Sequence, residues 1–122
     1  MKKQTILILG ISFLLFCIAA CGWKPEVSAV PITAPWAAMN LPVKENAVIW
    51  KSESGEFRAV HKEDKQTVMT KYADALKAQG WTLGKFDTEP SGAYATEIQK
   101  GGEKFSMRVY DFDNTGVVIE KK

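Results

Sequence analysis

Cysteine is scarce in this 122-residue chain: Cys17 and Cys21 stand four positions apart and none follows. No disulfide framework and no thiolate cluster can therefore hold the remainder together. Histidine is scarcer still. His61 stands alone, whereas a zinc site takes about four ligands. Long apolar runs are missing too. Ile6 to Phe16 is broken only by Gly10 and Ser12, but it falls short of the ~20 residues that cross a bilayer. Charge of one sign is absent beyond the start. Without Lys2 and Lys3 the 16 Lys and Arg fall to 14, equal to the 14 Asp and Glu. A neutral remainder has no basic field for nucleic acid and no polybasic stretch for anionic lipid. Phosphate-loop chemistry is excluded as well, since Gly101-Gly102 lacks a following Lys-Ser/Thr. Ser52, Ser54, Ser91 and Ser106 sit in no nucleophile-elbow motif.

What is present begins with two lysines, a short apolar middle and the small residues Ala19 and Ala20. That sequence of features predicts an export signal over residues 1–20. Its last four positions, Ile18-Ala19-Ala20-Cys21, resemble the bacterial lipoprotein signal. The resemblance implies a diacylglycerol on the Cys21 thiol, cleavage between Ala20 and Cys21, and acylation of the new amino group. Cys17 follows the bulky Phe16 and reads as a small hydrophobe of the discarded segment. An uncleaved N-terminal anchor and a Cys17–Cys21 pair are the alternatives. The resemblance implies a cell-envelope protein held to the membrane through Cys21. With Gly22 rather than Asp after the cysteine, it lies at the outer membrane facing the periplasm in a Gram-negative source. In a Gram-positive source it lies on the outer face of the cell membrane.

Residues 21–46 are predicted to be a Pro-rich tether. Pro25, Pro31, Pro35 and Pro42 interrupt any helix or central strand. Extended at ~3.1 Å per residue, twenty such residues would reach about 60 Å. The segment is apolar for a tether, with Val27, Val30, Ile32, Trp36, Met39 and Leu41. Either part of it packs back on the domain, or it lies on the membrane or a partner. Trp23 is placed for the headgroup level.

Residues 47–122 read as one small domain. β-Branched and aromatic content predicts strands over 47–51 and 56–62 around a turn, with Phe57, Ala59 and His61 on one face. The period then changes to that of a helix over 65–79, entered at Asp64 and stopped by Gly80. Strands over 81–86, 93–100, 104–111 and 117–120 follow, with a loop at 87–92 and turns at 101–102 and 113–116. The expected fold is α+β, a single helix packed on an antiparallel sheet in the order β-β-α-β-β-β-β. Tyr72, Leu76 and Gly80-Trp81 resemble the helix end of small uncharacterised domains in bacterial lipoproteins. That likeness implies a fold rather than an activity.

The chemistry-bearing residues point away from catalysis. His61 is read as a partly exposed strand residue rather than a general base. Asp111 to Gly116 mimics the start of a calcium loop, but the twelfth position is Lys122 instead of a bidentate Glu. Asp87 with Glu89, or Glu63 with Asp64, lie in a loop and at a helix start, where surface roles suffice. Trp50, Trp81 and Tyr94 are the candidate ligand or partner face, weighed against core packing. The expectation is a non-enzymatic envelope lipoprotein without metal or cofactor, serving as a protein-interaction or assembly module with an envelope protein partner. The alternative is a small-ligand binder using a groove between helix and sheet.

Overall fold

The computed structural model describes residues 23–122; the expected signal, Ala20 and Cys21 lie outside the described residues. Seven strands form one antiparallel sheet: β1 Ala47–Glu53, β2 Glu56–His61, β3 Thr82–Leu83, β4 Asp87–Thr88, β5 Tyr94–Lys100, β6 Glu103–Asp111 and β7 Thr115–Lys121. Helix α1, Lys65–Ala78, follows β2, so the described residues are α+β with one α-helix on an antiparallel sheet. The spatial order is β1-β2-β7-β6-β5-β3, with β4 also pairing β5. The last long strand thus closes against β2 at the middle of the sheet.

The helix is set by its apolar spacing and its ends. Val68, Tyr72 and Leu76 recur every four residues and are buried. Asp64 occupies the N-cap without a side-chain hydrogen bond. The C-terminus is a Schellman motif: Trp81 N–H donates to Leu76 O and Gly80 N–H to Lys77 O. Gly80 sits at φ 91°, a conformation that a Cβ would strain.

Beyond the helix the expected 81–86 strand shortens to β3, Thr82–Leu83. Gly84 follows it, with its N–H donating to Glu97 O of β5 3.0 Å away. The expected 87–92 loop opens with β4, where Asp87 and Thr88 pair with Ala95 and Tyr94 of β5. The expected 113–116 turn ends earlier than the sequence suggested. Thr115 and Gly116 belong to β7, paired with Asp111 and Tyr110.

The core lies between α1 and one face of the sheet. Phe57, Ala59, Ile98, Phe105, Met107, Val109, Val117 and Ile119 supply the sheet side. The segment read as a tether supplies the rest. Trp36, Met39 and Leu41 are buried in this core, Trp36 at 0% exposure. A 3-10 turn, Trp36–Met39, carries the indole inward between Phe57 and Phe105, with ring centroids 5.6 and 5.3 Å away. Its Nε1 donates to Glu53 O. Upstream, Thr33 N–H donates to Ser52 Oγ and Val30 N–H to Ile49 O, laying residues 30–33 along the outer edge of β1. Of the two readings of this segment, its downstream half packs back on the domain.

His61 differs from expectation. It is 1% exposed, because its face of β2 is covered by α1. Tyr72 O–H lies 2.7 Å from His61 Nε2 with the rings edge to face. Burial pushes the imidazole pKa down to about 4 against a raising influence from Glu63, and it pushes the Tyr72 phenol up.

Candidate functional site

The sheet has a second face, which α1 does not cover. Strand alternation builds it. Phe57 and Ala59 point to the core, so Arg58 and Val60 point away; Met107 and Val109 point to the core, so Arg108 and Tyr110 point away. The pairing brings these rows together, with Arg58 opposite Val118, Val118 opposite Arg108, and Gly116 between Val60 and Tyr110. At β1 the register shifts by one residue between Ile49 and Lys51, a bulge at Trp50. Ile49 packs toward the core and Trp50 falls on the outer face.

The outcome is a row of aromatic rings interleaved with guanidinium groups. Trp50 lies 5.9 Å from Phe112, and Phe112 stacks on Tyr110 at 6.1 Å and 26°. Arg58 stands 5.5 Å over Trp50, and Arg108 5.8 Å from the Tyr110 ring. Carboxylates fix both cations: Glu56 accepts from Arg58, and Glu89 accepts twice from the Arg108 fork, at 2.6 and 3.2 Å. Hydrogen bonds from Arg58 and then Lys51 hold the Glu56 carboxyl below its ordinary range. Trp50 Nε1 is buried and has no hydrogen-bond partner among the described residues. Such a face offers flat rings and planar donors, which suit protein recognition.

Gly116 is what allows the rings to lie flat. A Cβ built there would come 2.7 Å from Tyr110 Cζ and 3.0 Å from Phe112 Cβ. Gly116→Ala is expected to lift the Tyr110 ring off the sheet and cost about 1–3 kcal/mol in urea unfolding. Adding Tyr110→Ser should recover most of that loss; a double variant no better than Gly116→Ala would show that the clash is not the cause.

The three aromatics singled out in the sequence do not meet. Trp50 is on the open face. Trp81, 8% exposed, packs edge-on against Phe105 in the core. Tyr94 is half-buried at the core margin beneath Lys65 Nζ, 5.7 Å away. Trp81 borders a shallow hollow of about 390 Å³ with Pro35, Met39, Phe105 and Lys100, and neither Trp50 nor Tyr94 reaches it. Tyr110 and Phe112, which complete the row, were missed. Their signal was present in the sequence, since Arg108, Tyr110 and Phe112 alternate with the inward Met107 and Val109.

The other candidates have structural occupations. Asp111 pairs with Lys65 at 3.3 Å, Asp113 accepts from Glu26 N–H at 3.0 Å, and Gly116 is in a strand rather than a loop. The oxygens of the calcium-like stretch are therefore turned to separate partners. Glu63 pairs with Lys71 at 2.5 Å. Among the described residues no group of three or more His, Cys, Asp and Glu side chains is placed to hold a metal ion. Among the same residues no helix is long and apolar enough to cross a membrane. No family model, curated protein or solved structure matches the chain.

Proposed function

We propose that the chain is an envelope lipoprotein, anchored through Cys21, whose folded part is a non-enzymatic protein-interaction or assembly module. The carrying observation is the sheet face turned away from the helix, where Trp50, Arg58, Tyr110 and Arg108 are grouped within ring and cation contact. Aromatic and arginine side chains dominate binding energy at protein interfaces, and here they are grouped and held in place before a partner arrives. Location rests on the lipoprotein-like Ile18-Ala19-Ala20-Cys21.

Cross-linking intact envelopes and recovering the chain tests this reading. A stoichiometric protein partner is expected. Trp50→Ala with Arg108→Glu should weaken its capture about thirtyfold, the effect of one hot spot of ~2 kcal/mol. A partner retained at full yield by that variant would remove the open face from the account. The alternative, a small-ligand binder, draws on the hollow beside Trp81. A bound small molecule in native mass spectrometry, with no cross-linked protein, would favour it.

A further inference from the structure

Trp23 and Glu26 tie the chain to one end of the sheet. Trp23 Nε1 donates to the backbone carbonyl of Asp113 at 3.3 Å, and Glu26 N–H donates to the Asp113 carboxylate at 3.0 Å. Both bonds land on the turn between β6 and β7. Cys21 is two residues upstream of Trp23, a span of at most ~7 Å. A lipid on Cys21 therefore emerges beside that turn. A 60 Å leash is not available while the tie holds.

The same end of the domain carries exposed apolar surface. Phe112, at 37%, and Val30, at 36%, are the exposed large hydrophobics among the described residues. Phe112 precedes Asp113 directly. Val30 is bonded to Ile49, next to the Trp50 that packs on Phe112. Charges around the tie are of both signs, Lys24 and Lys65 against Glu26, Asp111 and Asp113. Electrostatic attraction to anionic lipid is not the driving force. Aromatic rings with a polar neighbour settle at the headgroup boundary.

We propose that the β6–β7 turn, with Trp23 and Phe112, is a membrane-resting foot that seats the anchored domain on a lipid surface. The proposal rests on lipidation of Cys21. The Gly55 turn, between β1 and β2, and the Gly101–Gly102 turn, at the start of β6, are at the opposite end of the sheet, roughly 20 Å or more away at ~3.3 Å per residue. Arg58 and Arg108, three residues up their strands from His61 and Asp111, then face sideways above the lipid contact and stay open to a partner.

The test uses the protein extracted from its own membranes and reconstituted into phosphatidylcholine vesicles. Intact mass comes first. A Cys21 without diacylglycerol ends both the anchor reading and this one. With the anchor present, Phe112→Cys and Ser54→Cys variants each carry one free thiol for an environment-sensitive fluorophore. Doxyl-labelled lipid is expected to quench the label at 112 by about half or more, as for side chains buried ~5–10 Å into the interface, and to leave the label at 54 unchanged. Equal quenching at both sites, quenching at neither, or quenching at 54 alone would overturn the foot while leaving the anchor intact. Trp23→Ala with Asp113→Ala, which removes both bonds of the tie, should at least halve the contrast between the sites; an unchanged contrast would overturn the tie as its cause.

Discussion

Replacing Trp36 by alanine is expected to lower unfolding stability by about 4 kcal/mol, the upper range for removing a buried aromatic. The indole is wholly buried, touches Phe57 and Phe105, and bonds to Glu53 O. Truncation empties the space between those rings and leaves that carbonyl without its donor. Small domains are stable by only ~5–15 kcal/mol, so the variant should unfold at much lower urea or be partly unfolded in water. Trp23→Ala serves as the control, since it loses one surface hydrogen bond and should cost under ~1 kcal/mol. A Trp36→Ala loss of that same small size would mean that the proline-rich segment is only a leash. The expected result makes it part of the fold, with the 3-10 turn acting as a plug at the open side of the helix–sheet core.

That plug also marks where the sequence stopped being readable. Helix α1 was legible because a 3.6-residue stripe and a terminal glycine are local signals, written within 16 residues. β2, β5 and β6 were legible through their two-residue alternation. Trp36, Met39 and Leu41 belong to no periodic run. Their partners Phe57 and Phe105 lie far along the chain, and prolines around them carry the local signature of a linker. The grouping of Trp50, Trp81 and Tyr94 failed for a related reason. Each residue's face is set by pairing register, and a bulge at Trp50 and a helix cap before Trp81 place the two on opposite sides of the sheet. Gly116 looked like a turn residue because glycine after Asp-Asn-Thr usually is one. It is in a strand because the Tyr110 ring takes the space of its missing side chain.

Acid should weaken the fold before Glu56 and Glu97 lose their charge. His61 is buried among Tyr72 and Lys71 on α1, Glu63 after β2 and Thr115 on β7, and burial sets its pKa near 4. In the unfolded chain the imidazole titrates at 6.5. Between those values the unfolded state binds a proton that the folded state refuses, so stability is fully present above about pH 6.5 and is lost as pH falls toward 4. The whole loss is ~3 kcal/mol, from ~1.4 kcal/mol per pH unit. Glu56 and Glu97 have carboxyls held below their ordinary range by Arg58 and Lys122, so their contributions fade only below about 4.5 and leave the upper window to the histidine. His61→Phe with Tyr72→Phe keeps an edge-to-face aromatic pair and removes both polar partners, so no buried group is orphaned. Urea midpoints of this double variant should stay level from pH 6.5 to 5 while those of the parent protein decline. Parallel decline in the two proteins would mean that His61 is hydrated and protonates freely in the folded state, and that the hydrogen bond to Tyr72 does not shut water out of this corner of the core.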